Sequence, residues 1–316
     1  MPTLRTTVRA LLAAALLAAA AASPAPAQAE VLSVGKDKPY KLPSAAIAAA
    51  KEGDHVAIEP GEYFDCATVE ANNVVIEGVG DADKVSMTDK ACKGKALLIT
   101  AGDDITIRNI TLTRARVPDG NGAGIRAEGH NLTVDGVRFV NNQDGILTTG
   151  DVGTLIVRNS LFDRNGTCEQ ACSHGIYAGR IELVQVENST FLGTKQGHNI
   201  KSRALRTEVT NCTMDDGAVG TASYQIDIPN GGSIVARGNT ITKGPKAENH
   251  TAGIIIGEEE INQPTREITI ENNKFRNAGS YPTAFVDNRT ATEASLKGNT
   301  ISGRAVALHG DGTVTP

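Results

Sequence analysis

The sequence predicts an all-β solenoid, a right-handed parallel β-helix of about nine coils with a short N-terminal capping helix. Three observations carry that expectation. Helical periodicity is confined to residues 43–51, after which short alternating strands end in Gly or Asn turns. Gly or Asn then recurs at Gly78, Asn109, Gly136, Asn159, Asn188, Asn211, Gly238, Asn272 and Gly298, at intervals of 23 to 34 residues. Finally, an apolar residue stands 11 to 13 residues before most of these turns. That column runs Leu97, Ile125, Ile146, Ile176, Ile200, Ile226, Ile254 and Phe285, with Val306 after the last turn. Ile254 departs from the spacing because Glu258 to Thr265 forms an insertion.

The chain begins with Arg5 and Arg9, an Ala/Leu run from Ala10 to Ala22, and the small-residue site Ala27-Gln28-Ala29. This three-part layout predicts a secretory signal over residues 1–29 and one β-helix domain over 30–316. The apolar run is too short to span a bilayer, and no later stretch is long enough. Removing the two leader arginines shifts the formal charge from -5 to -7, which argues against nucleic acid as a partner. Export places all five cysteines where oxidation is available. Cys168 and Cys172 bracket a short loop, Cys66 and Cys92 are the next pair, and Cys212 is left over.

Residues 43–51 form the one expected helix, with Ser44 as its N-cap, followed by a strand from His55 to Ile58 bounded by Gly53-Asp54 and Pro60-Gly61. The ladder of Gly and Asn then sets one turn per coil. Both residues tolerate a left-handed backbone, and Asn can hydrogen-bond to the coil beside it.

Pro43 to Ala50, Gly53-Asp54 and Ile58 to Tyr63 resemble the N-terminal cap of pectate-lyase-like β-helix proteins, and the Asn-x-x-Phe coils resemble the repeats of that superfamily. The resemblance covers essentially all of the chain after the leader. It implies the fold and a groove over the first sheet, walled by the loops at 113–123, 163–173 and 215–223. It does not select an activity, because the superfamily includes lyases, hydrolases, epimerases, esterases and adhesins.

Strand side chains alternate, so an inward isoleucine column places the next residues outward: Arg126, Leu147, Tyr177, Lys201 and Asp227. Arg203 lies two residues beyond Lys201. With coils about 4.8 Å apart, Tyr177, Lys201, Arg203 and Asp227 form one patch. Two residues before the isoleucines stand Asp144, His174, His198 and Tyr224, where the loops return into the sheet.

The patch holds the residue types that β-elimination on a uronate polymer requires. Arg203 can hold the sugar carboxylate, Lys201 can act as base, and Tyr177 or His198 can act as acid, with His174 alongside. Arg126, Asp144, Tyr224 and Asp227 are the expected substrate-binding residues. Each has a plainer reading: Lys201 and Asp227 as a cross-strand ion pair, the histidines as a stack, the asparagines as architecture. Glycoside hydrolysis is the rival reaction and needs two carboxyl groups about 5 to 9.5 Å apart. Asp144 and Asp227 are three coils, roughly 15 Å, apart. A uronate epimerase and a non-catalytic polysaccharide-binding or surface protein are further alternatives. The absence of Trp and the 3% aromatic content weaken a sugar-stacking module. No metal spacing of known specificity occurs, and Ca2+ held by Asp227 with Glu258-Glu259-Glu260, or a metal on Asp144 and His174, stays an alternative. The expected state is a monomer acting on an acidic polysaccharide, with no membrane partner.

Overall fold

A computed structural model describes residues 29–150 and 153–316. The predicted leader, apart from Ala29, lies outside the described residues. From Val31 to Thr315 the chain winds through three parallel sheets of 12, 10 and 10 strands, the architecture of a parallel β-helix. Among the described residues, no helix is long and apolar enough to cross a membrane.

The 12-stranded sheet shows why the ladder counted too few coils. Nine of its strands end at the Gly/Asn positions, whereas in Val31–Val34 and His55–Ile58 the register puts Val34 and Ile58 at the ladder position, and Gly312–Thr315 is followed by Pro316. Eight of the nine ladder residues, from Asn109 to Gly298, adopt positive φ between 49° and 66°, as the left-handed turn requires. Gly78 does not. It is needed for close approach, because a Cβ there would lie 2.1 Å from the Asn109 carbonyl oxygen.

The sheet that carries the site pairs Ile125, Ile146, Ile176, Ile200, Ile226 and Ile254 in one register, all fully buried. The expected column slips at its ends. Leu98 rather than Leu97 pairs with Ile125, Val286 rather than Phe285 pairs with Ile254, and Leu308 rather than Val306 pairs with Val286. Runs such as Ala-Leu-Leu-Ile and Ala-Phe-Val offer two apolar choices, and spacing alone does not decide between them.

A second internal column runs Phe139, Phe162 and Phe191, whose rings stack at 4.6 and 4.5 Å. Glycine on the opposing strand makes room for them: a Cβ at Gly145 would meet the Phe162 ring at 2.8 Å. The next two coils replace phenylalanine by Met214 and Ile241, and in those coils Asn199 and Gln225 take the place of the glycine. The pattern resumes at Phe275 and Gly253.

The helix spans Pro43–Ala49 and its N-cap is Leu42, without a side-chain cap. Ser44 is two residues too far along to cap it. Asp65 serves the helix start instead, its Oδ2 accepting the Ser44 N–H at 2.8 Å. Cys66 is bonded to Cys92 and Cys168 to Cys172, while Cys212 is free and buried.

Candidate functional site

Strands Ile176–Ala178, His198–Ser202 and Tyr224–Ile228 lie side by side, and their register aligns Tyr177 with Lys201 and Lys201 with Asp227. The buried isoleucines fix this alignment, since a slip of one residue would turn them outward. Lys201 Nζ stands 3.5 Å from Asp227 Oδ2 and 2.9 Å from Glu259 Oε1. Arg203 gives Glu259 a two-point contact, Nη1 to Oε2 at 2.6 Å and Nη2 to Oε1 at 3.1 Å. Its Nε donates to the Tyr177 hydroxyl at 3.2 Å, and Nη1 also donates to Asn230 Oδ1.

The two carboxylates on Lys201 are opposites. Asp227 is 1% exposed, and burial pushes its carboxyl up to about 7 despite the neighbouring ammonium. Glu259 is held down to about 2 by Arg203, with Lys201 adding to the effect.

The second column forms a ladder of side chains. Asp144 Oδ1 accepts the His174 N–H at 2.6 Å, His174 Nδ1 accepts the His198 N–H at 3.0 Å, and His198 Nδ1 accepts the Tyr224 N–H at 3.2 Å. The rings of His174, His198 and Tyr224 stack at 4.8 and 5.2 Å. With Nδ1 an acceptor, Nε2 carries the hydrogen in both neutral histidines. In His198 that Nε2 faces Asp227 Oδ2 at 3.3 Å. Burial, reinforced by nearby cations, lowers the pKa of both rings, that of His198 to about 3.

His174 and Tyr224 were expected to line the groove and Asp144 to bind substrate, and all three are buried, Asp144 completely. They do not turn inward: His174 packs against Tyr177, His198 Nε2 faces Asp227 and Tyr224 reaches Glu258, all on the outer face. Gly145, Gly175, Asn199 and Gln225, one residue before the isoleucines, share the interior with the phenylalanine column. It is neighbouring side chains and loops laid over the sheet that bury the three. Burial pushes Asp144 up to about 7. Tyr224 donates its hydroxyl to Glu258 at 2.9 Å and accepts from Asn249 at 2.6 Å. Arg126 lies two coils from Tyr177, beside Glu128 at 3.8 Å, apart from the other cations.

Sequence reasoning missed several residues. Asn230 and Gln263 brace Arg203, the latter donating to its carbonyl at 3.3 Å. Lys243 is fully buried, its pKa lowered to about 8 by burial, and its ammonium lies 5.7 Å over the Tyr224 ring. Strand alternation could have found it, because Lys243 follows inward Ile241 by two. Asp216 is also buried, raised to about 6, and accepts from Gln225. Thus the polar interior made by Asn199, Gln225 and Asp216 lies within the coils that carry Lys201 and Asp227.

Among the described residues, no group of three His, Cys, Asp or Glu is arranged to hold a metal ion. The calcium cluster considered for Asp227 with Glu258, Glu259 and Glu260 is not assembled. Asp227 and Glu259 face Lys201 and Arg203, and Glu258 faces Tyr224. Asp144 Oδ1 and His174 Nδ1 are likewise taken by backbone N–H groups. A cleft of about 330 Å³ lined by Arg180, Leu205 and Gln263 lies next to the patch.

A family model described as "Right handed beta helix region" matches residues 167–315. The chain has the fold that this model describes, a right-handed parallel β-helix. This β-helix is similar to an alginate lyase from Paenibacillus sp. at a TM-score of 0.60 and 15% identity, over 90% of this chain and 99% of that one. Pectate lyase Pel9A gives 0.53 and 14% identity over 88% and 78%. The ORF18 protein of Geobacillus virus E2 gives 0.51 and 10% over 81% and 55%. Among curated proteins, none matches the sequence. Identities this low support the fold alone.

Proposed function

We propose that this protein is an exported polysaccharide lyase that cleaves a uronate-containing polymer by β-elimination. The observation that carries the reading is the convergence of Lys201 and Arg203 on one carboxylate, with the Tyr177 hydroxyl against Arg203. In the proposed reaction Arg203 holds the sugar carboxylate by two hydrogen bonds and withdraws charge from the neighbouring carbon. Lys201 Nζ removes the proton from that carbon, the electron pair forms a new double bond, and the bond to the leaving oxygen breaks. Tyr177 supplies the proton that the leaving oxygen needs. Lys201 must be neutral to act, and Asp227, raised to about 7, is placed to receive its proton. His198 suits the acid role less well, since Nδ1 is taken by a backbone N–H and Nε2 faces Asp227. It positions Asp227 instead.

The neighbours named as alginate lyase and pectate lyase are concordant with an acidic polysaccharide substrate. The two disulfides are concordant with an oxidising compartment, as the leader is.

One observation favours a second reading. Glu259 and Asp227 both touch the Lys201 ammonium, which brings them within the outer limit of the about 5 to 9.5 Å that glycoside hydrolysis uses. Against this, Asp227 is buried beneath Lys201 and Glu259 is neutralised by two cations.

Incubation with alginate, pectate, glucuronan and bacterial exopolysaccharides separates the readings. A lyase raises ultraviolet absorbance as unsaturated ends form. A hydrolase releases reducing ends without that absorbance, an epimerase exchanges the proton beside the carboxylate with solvent, and a binder only retains the polymer. No absorbance change across the panel removes the lyase reading.

A further inference from the structure

The free site already holds a carboxylate, and it belongs to the protein. We propose that Glu259 is a built-in stand-in for the substrate carboxylate: it plugs the Lys201/Arg203 cradle, and only an ionised uronate can take its place. This deepens the lyase reading and rests on its placing of substrate at that cradle.

Three features support the plug. The first is geometric. Glu259 occupies both terminal nitrogens of Arg203, the contacts a uronate carboxylate needs, and also engages Lys201 Nζ, the base beside them. The remaining guanidinium contacts, to Tyr177 and Asn230, do not involve Glu259. The cradle therefore keeps its shape when the plug leaves.

The second feature is charge. Glu259 meets both Lys201 and Arg203, Asp227 also meets Lys201, and Glu258 stands nearby on Tyr224, so a further anion enters a patch already lined with carboxylates. Exchange of one carboxylate for another avoids that repulsion, whereas addition does not. An ester has no charge to offer in exchange, so the cradle favours free uronate over its methyl ester.

The third is the way the insertion is fastened. The backbone of Glu259 donates to the Pro229 carbonyl at 2.9 Å, and those of Asn262 and Gln263 donate to the Asn230 carbonyl at 3.0 Å each. Asn230 Nδ2 donates to the Glu260 carbonyl at 2.8 Å. The loop backbone is thus pinned to the coil beneath it, while the Glu259 side chain is 40% exposed. Rotation of that side chain alone opens the site.

Calorimetric titration of wild type, Glu259→Ala and Glu259→Gln with size-defined oligomers from alginate and pectate, in free and methyl-esterified form, tests the plug. The expected result is binding of the free oligomers about tenfold or more tighter in both variants, with KM for the polymer falling correspondingly. The esterified oligomers bind the variants at least about tenfold more weakly than the free ones. Unchanged or weaker binding by the variants, where wild type binds, overturns the plug and leaves the lyase reading standing. Tighter binding without any absorbance change keeps the plug and removes the lyase reading. Loss of turnover in both variants at saturating polymer makes Glu259 a catalytic carboxylate and overturns the plug. If no protein binds any free uronate oligomer, the plug and the substrate assignment fall together.

Discussion

Two ladders climb this solenoid, and they do the same architectural task with different chemistry. At one corner Asn239, Asn273 and Asn299 repeat a single amide. The N–H of Asn239 donates to Asn273 Oδ1 and that of Asn273 donates to Asn299 Oδ1, each at 2.9 Å. At the mouth of the site sheet, Asp144, His174, His198 and Tyr224 also take the backbone N–H of an adjacent coil, but in the opposite chain direction. The task of the first ladder is to satisfy buried N–H groups, and Ser160 and Ser189 perform it at the same corner in earlier coils. The second keeps that geometry while changing the side chain at each step, and its rings adjoin Lys201, Arg203 and Asp227. A ladder whose side chains only satisfy N–H groups is thus support, and one whose rings also meet outward polar groups such as Asp227 and Tyr177 marks a site.

Substitutions can break this contrast, beginning with the largest effect. Lys201→Ala or Arg203→Ala is expected to lower turnover by about 10³-fold. Melting temperature should barely move, because Asp227, already raised to about 7, takes up a proton when its cation is removed. Full activity in Lys201→Ala removes it from the mechanism.

Asn273→Ala should do the reverse. It deprives Asn239 of an acceptor and the Ala236 carbonyl of a donor, and is expected to cost about 2 to 4 kcal/mol in urea unfolding while leaving turnover per folded molecule unchanged. Ile200→Ala belongs to the same class, at about 2 to 4 kcal/mol. If Asn273→Ala lowers turnover with stability intact, the division between the ladders is wrong.

The smallest effect is a pH signature. Asp227 keeps its proton in the native state up to about 7, whereas in the unfolded chain it is lost near 3.9. Native protein then binds more protons between those values, and this group's contribution to stability falls as pH rises through that window. Asp227→Asn should therefore be about 1 kcal/mol or more stabler than wild type at pH 8, with the difference gone by pH 4. The buried histidines act in the opposite sense, since their lowered pKa values make stability fall below about 6.5. A pH-independent difference between Asp227→Asn and wild type contradicts the burial argument.

The coils were legible in sequence because Gly and Asn at one turn, and isoleucine at one strand position, answer constraints that recur with every coil. The alignment of Tyr177, Lys201 and Asp227 followed from strand alternation alone. The terminal coils were missed because the ladder residue is absent there, and the register slipped where Ala-Leu-Leu-Ile or Ala-Phe-Val offered two apolar candidates. Glu259 was visible only as part of an acidic run. Its place on Arg203 depends on the path of an insertion, which no repeat dictates. The burial of Asp144 was hidden in the same way, because Ser173 and His174 of the next coil cover it and strand alternation does not turn it in.

Each coil of a solenoid touches only its neighbours, and the Glu258 to Thr265 insertion is pinned mainly to residues 228–230 of the preceding coil. The plug is accordingly a detachable module. An ancestor or descendant with a shorter turn at this point would keep the same Tyr-Lys-Asp column and an unobstructed cradle. Access to the site can therefore evolve by insertion and deletion while the reacting groups stay fixed.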